Sequence, residues 1–156
     1  MAHGILRRTT FIVPSAEEAA RFYSEVFGWT RFYDHRLAVH GAFPPAAPHN
    51  APAHLVILKA DDPNIGMVGF LQYLDAPFDT AVPTQRSKVR MGEAILVIQT
   101  KDVDGIHRRA VAQGANVVSP PLDWEVPSHD GSSVIKLRTM SMFDRNGIYS
   151  EINQHG

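Results

Sequence analysis

The chain has 156 residues, 44% of them hydrophobic, enough for one domain or two closely packed halves around a core. Its 15 Lys and Arg nearly balance 16 Asp and Glu, so it lacks the basic footprint of a nucleic-acid binder. It contains no cysteine, which excludes disulfides, thiolate catalysis and zinc–thiolate centres.

The opening MAHGILRR lacks the long apolar core of a signal peptide. No apolar run is long enough to span a bilayer. A cytoplasmic protein with no membrane or nucleic-acid partner is the expectation. Ile5 to Val13, rich in Ile, Val and Thr, reads as a strand ended by Pro14. Ser15 and Glu18 have the spacing of a capping box. Ala19, Phe22, Tyr23, Val26 and Phe27 then make one helical face, and Gly28 is placed to end the helix. Trp29 to Phe32 starts a second strand. His40 to Ala53, with four closely spaced prolines, reads as a loop, either a lid or an insertion. His54 to Lys59 and Met67 to Leu74 read as strands three and four.

Residues 75–92 read as a linker, with Arg86, Lys88 and Arg90 as solvated charges among turn residues. Ala94 to Gln99 is the fifth strand, and Asp102 to Gln113 a helix with Val103, Ile106 and Ala110 inward. A sixth strand begins at Asn116 to Val118 and is interrupted by Pro120 and Pro121. Ser133 to Phe143, the turn Asp144 to Gly147, and Ile148 to Asn153 complete the chain. Residues 12–28 and 98–114 thus share length and plan: strand end, polar turn, helix, glycine. The expected organisation is α+β: two βαβββ modules, about 5–74 and 93–154, within one domain.

Three segments carry a resemblance: RFYSEVFGW after the first strand, KDVDGIHRRAVAQGA after the fifth, and FDRNGIYSE near the end. Together they resemble the vicinal oxygen chelate superfamily, which includes glyoxalase I, extradiol dioxygenases, fosfomycin enzymes and bleomycin-sequestering proteins. The resemblance implies that the modules form a curved mixed sheet, two half-barrels around a pocket. It also implies a homodimer and a small-molecule ligand. In such proteins a divalent metal is held by four inward side chains, one each from the first and last strand of each module. Mapped here, those positions fall on Arg8, on Gln72 or Phe70, on Ile95 and on Glu151. Arginine and isoleucine offer a metal no lone pair, so no metal cofactor is expected. Glu93, two residues before Ile95, is a substitute ligand if the register differs. A metal-dependent glyoxalase-like lyase, isomerase or dioxygenase with a non-standard ligand set is the alternative reading.

In place of the metal, Arg8 is expected to be the pocket's cation, with a planar fork suited to a carboxylate or paired oxygens. Glu151 is the candidate general base. Gln72, Tyr149, Met140 and Trp124 are the remaining candidate ligand-binding residues. The competing reading makes Arg8 and Glu151 a structural ion pair, Tyr149, Met140 and Met142 core, and Ser128-His129-Asp130-Gly131 a plain loop. Trp29 and Trp124 either flank the cavity or fill the core. The chain reads as an enzyme acting by proton transfer, or as a binding protein that sequesters its ligand.

Overall fold

A computed structural model of the chain describes residues 6–42, 44, 46–62, 66–75, 86–128 and 130–156. The chain divides into two compact units, Met1–Ala81 and Val82–Gly156, and each repeats one α+β plan. Unit 1 comprises β1 (Arg8–Ile12), α1 (Ala16–Phe27), β2 (Thr30–Val39), β3 (Ala51–Lys59) and β4 (Met67–Tyr73). Unit 2 comprises β5 (Ile95–Thr100), α2 (Val103–Ala112), β6 (Asn116–Pro127), β7 (Val134–Phe143) and β8 (Tyr149–His155). The sheet orders are β1-β4-β3-β2 and β5-β8-β7-β6. In each, the first strand runs parallel to the last and the other pairs are antiparallel. Both sheets are open and not closed barrels.

Local chemistry sets the helices. Ser15 caps α1, its hydroxyl accepting the Glu18 N–H at 3.2 Å. The helix stops at Gly28, whose φ of 77° a side chain would oppose. The buried face of α1 includes Ala19, Phe22, Tyr23 and Val26, as the spacing predicts. Asp102 caps α2 by accepting the Gly105 N–H at 2.9 Å, and Val103, Ile106 and Ala110 are buried. Trp29 stacks on Tyr23 and Phe27, so it belongs to this aromatic cluster.

Several strands exceed the sequence expectation, β2 and β6 most of all; β3 begins at Ala51, inside the expected His40–Ala53 loop, and β8 runs on to His155. β2 runs on to Val39 because it pairs with β3 along nearly its whole length. Its charged residues had masked the alternation. Arg31 pairs with Glu17 and Asp34, and Asp34 with His54. β6 continues through Pro120 and Pro121 because it is an edge strand, where a missing N–H is tolerated. Its register shifts on both sides of Ser119. Of the expected linker, residues 76–85 lie outside the described residues.

Arg86 is not a solvated linker charge. Its guanidinium lies 4.7 Å from the Phe143 ring, pairs with Glu93 and donates to the Gly147 carbonyl at 2.9 Å. It fastens the stretch before β5 to the turn before β8.

Candidate functional site

In unit 1, two contacts of β4 identify the helix-facing side of the sheet. Phe70 is fully buried against Tyr23, with ring centroids 5.0 Å apart. The side-chain carbonyl of Gln72 accepts the Ala16 N–H at 3.2 Å, in the first turn of α1. Successive side chains alternate across a strand, so Gly69 and Leu71 face the open side. The register carries this parity to Thr10 beside Gly69 and to Leu55 beside Leu71. On the open side lies a cavity of about 450 Å³ lined by Arg8, Thr10, Ile12, Leu37, Leu55 and Leu71, with His40 and Pro44 contributing from the β2–β3 connection. A methyl group on Gly69 would come 2.8 Å from the Thr10 hydroxyl and 3.3 Å from Cδ of Arg8. The absent side chain leaves room for the Arg8 stem across β4.

Unit 2 has the same parity. Gln154 accepts the Val103 N–H at 3.0 Å in the first turn of α2. Ile152 and Met140 are fully buried on that side, and Arg138 reaches Asp104 of the helix. Glu151, Asn153, Tyr149, Thr139 and Ser141 therefore face the open side. Trp124 joins them: its indole N–H donates to the Thr139 hydroxyl at 2.7 Å, and that hydroxyl donates to Asn153 Oδ1 at 2.6 Å. Val97 lies beside Glu151 and Ile95 beside Tyr149. They are 67% and 50% exposed, an apolar border to a polar centre. The Tyr149 ring rests on Phe143, 5.1 Å between centroids.

Several expected site residues stand elsewhere. Gln72 does not face the open side; it satisfies a free N–H of α1, and Phe70 is core. Met140 is core beneath α2, with no exposure, because its neighbours Thr139 and Ser141 take the open side. Glu93 does not reach toward a ligand set; it is held by the Arg90 N–H and by Arg86, which in that order depress its carboxyl below the usual range. His129 lies outside the described residues. Glu151, Tyr149 and Trp124 share one face of unit 2, and Arg8 lines the cavity of unit 1.

Sequence reasoning missed Thr10, Gly69, Thr139 and Asn153. A signal was present. Gln72 and Gln154 perform the same cap, and GFLQ set against EINQ pairs Gly69, not Gln72, with Glu151. The four positions that the superfamily gives to metal ligands therefore carry Arg8, Gly69, Ile95 and Glu151. Only Glu151 offers a donor, so these side chains do not fit the four-ligand metal site. Among the described residues no group of three His, Asp or Glu is placed to hold a metal ion.

The charge networks lie away from both open faces. Asp34 is held below the usual carboxylate range first by its hydrogen bond to His54 and then by Arg31. Glu17 is lowered by Arg31. Arg138 lowers Asp104 in the same way. Asp130, at about 2, is lowered by Ser128 and Ser132 in the β6–β7 turn. Among the described residues neither Arg8 nor Glu151 has an ion-pair partner within its own unit.

No curated protein is a significant relative of this chain. Solved structures are similar over nearly its whole length. A glyoxalase-family protein from Bacillus cereus is 17% identical, covering 98% of this chain and 96% of its own, with a TM-score of 0.71. A glyoxylase/bleomycin resistance protein/dioxygenase domain from Frankia sp. EAN1pec is 14% identical, covers 100% of both chains and has a TM-score of 0.61. The fosfomycin resistance protein FosX from Listeria monocytogenes is 14% identical, covering 100% of this chain and 96% of its own, with a TM-score of 0.55. At these identities the likeness is one of fold. The sequence pattern of one family matches residues 5–151. By that match the chain belongs to the Glyoxalase/Bleomycin resistance protein/Dioxygenase superfamily.

Proposed function

We propose that this protein binds a small anionic or oxygenated metabolite, with Arg8 as the cation of the unit 1 cavity and without the superfamily's four-ligand metal site. The observation that carries this reading is Arg8 lining an otherwise largely apolar cavity of about 450 Å³ and having, among the described residues, no carboxylate partner in its unit. A guanidinium beside apolar walls suits a carboxylate on a hydrophobic body. The donor set at Arg8, Gly69, Ile95 and Glu151 supports the metal-free half of the proposal.

If unit 2 turns over a ligand on its own open face, Glu151 is the general base there, and Glu151→Gln removes most of that activity. The expected assembly is a cytoplasmic homodimer, since the exposed Ile95 and Val97 leave an apolar edge that association would cover. Light scattering at several concentrations measures that state.

The test is calorimetric titration of benzoate and benzyl alcohol into the wild type and Arg8→Ala. Benzoate should bind the wild type and weaken by roughly tenfold or more in Arg8→Ala, the loss of one charge-assisted hydrogen-bond pair. Benzyl alcohol should not distinguish the two proteins. Equal benzoate affinity in both removes Arg8 from the site. Elemental analysis of protein loaded with Zn²⁺, Ni²⁺, Mn²⁺ or Fe²⁺ checks the other half, and one tightly held equivalent would defeat it.

A further inference from the structure

The open face of unit 2 has chemistry of its own. Indole N–H is a donor only, so Trp124 fixes the Thr139 oxygen as an acceptor. The single hydroxyl proton of Thr139 is directed at Asn153 Oδ1. The carbonyl end of the Asn153 amide is thereby occupied, and its NH₂ end is the part left to meet a ligand. Glu151 stands two residues earlier on the same strand and the same face, roughly 6.6 Å away along the backbone. As a carboxylate it is an acceptor only, and among the described residues it has no hydrogen-bond partner. The face therefore offers one donor and one acceptor side by side. A flat aromatic surface adjoins them, since Trp124 is 41% exposed.

We infer that this face binds a planar, uncharged group bearing an adjacent carbonyl and N–H, such as an aromatic primary carboxamide or a lactam. The ligand carbonyl accepts from the Asn153 NH₂, the ligand N–H donates to Glu151, and its ring lies against Trp124. A carboxylate in the same place is repelled by Glu151 and leaves it without a donor, so the face discriminates against the acid. This deepens the preceding reading, on which it rests for the view that the open faces take small molecules. It assigns uncharged ligands to the open face of unit 2, as distinct from the anionic ligands assigned to Arg8 in unit 1.

The test uses benzamide, N,N-dimethylbenzamide and benzoate. The chain has two tryptophans, so Trp29→Phe leaves Trp124 as the remaining indole and its emission reports on this face. Calorimetry on the otherwise wild-type protein replaces fluorescence should Trp29→Phe not fold. Benzamide should quench Trp124 saturably, and the dimethyl compound should bind roughly tenfold more weakly for want of a donor to the charged Glu151. Glu151→Gln and Asn153→Leu should each cost benzamide a similar factor, and Thr139→Val should reduce the preference for benzamide over its dimethyl analogue. Arg8→Ala should weaken benzoate and leave benzamide unchanged, which separates failure of this inference from failure of the Arg8 reading. Equal binding of benzamide and N,N-dimethylbenzamide overturns it. So does unaltered benzamide affinity in both Glu151→Gln and Asn153→Leu, or no saturable binding up to about 10 mM, beyond the weak limit of specific association.

Discussion

Leu55, Ile57, Gly69 and Leu71 occupy in unit 1 the places that Thr139, Ser141, Glu151 and Asn153 occupy in unit 2. On the helix-facing side, Phe70 matches Ile152, Val56 matches Met140, and Gln72 matches Gln154. The side under the helix has kept its chemistry in both copies: apolar packing and one glutamine cap. The open side differs between them: a hydrogen-bonded polar centre in unit 2 and an apolar wall with one guanidinium in unit 1. Packing constrains the covered face, because a buried residue must fit its neighbours. The other face is packed less completely: in unit 1 the β2–β3 connection covers the end around Val39, Ala53, Leu71 and Tyr73, and the remainder is freer to change charge.

The largest expected effects break the shared side. Phe70→Ala should cost about 3–5 kcal/mol and Met140→Ala about 2–5 kcal/mol in urea unfolding, with ligand affinity of the folded protein unchanged. A stable Met140→Ala protein with impaired binding would return Met140 to the site. On the divergent side, Gly69→Ala should lower benzoate affinity severalfold in calorimetry, because the added methyl meets the Thr10 hydroxyl and Cδ of Arg8. The same substitution should leave benzamide binding intact. Gln72→Leu and Gln154→Leu should each cost about 1 kcal/mol, the net value of one hydrogen bond. Nearly equal losses sharpen the claim that one cap is used twice, and a neutral effect in either copy breaks it.

The smallest effect is a pH dependence confined to unit 1. Asp34 has its carboxyl pKa depressed below 3.8 by His54 and Arg31. Its contribution is therefore complete above the unfolded value near 3.8 and is lost as pH falls through the folded value. Asp34→Asn should make acid unfolding shallower below about pH 4. The gain is small, since the side chain is 37% exposed and solvent screens the pair. An unchanged acid limb would remove this network from the stability of unit 1.

The helices and the repeat were legible in the chain because their signals are local. Ser15, Gly28, Asp102 and the apolar spacing of each helix act within a few residues. Arg8 and Glu151 were placed on open faces by counting from those landmarks. Gln72 and Met140 were not, because a one-residue error in parity moves a side chain to the opposite face. The cue for β4 lies far off in the chain, in the match of GFLQ to EINQ on β8. The length of β2 was likewise hidden, since its Arg31–Asp34–His54 contacts join residues up to 20 positions apart.

Taken by itself, the order of residues determined the two modules, their helix ends and the loss of donors at positions 8 and 95, since each depends on residue type at a short spacing. Only tertiary structure decided which side of each sheet the helix covers, that Gly69 makes room for Arg8, and that Trp124, Thr139 and Asn153 form one hydrogen-bonded chain. Those facts depend on strand register and on helix-to-sheet packing, which are set by contacts distant in sequence.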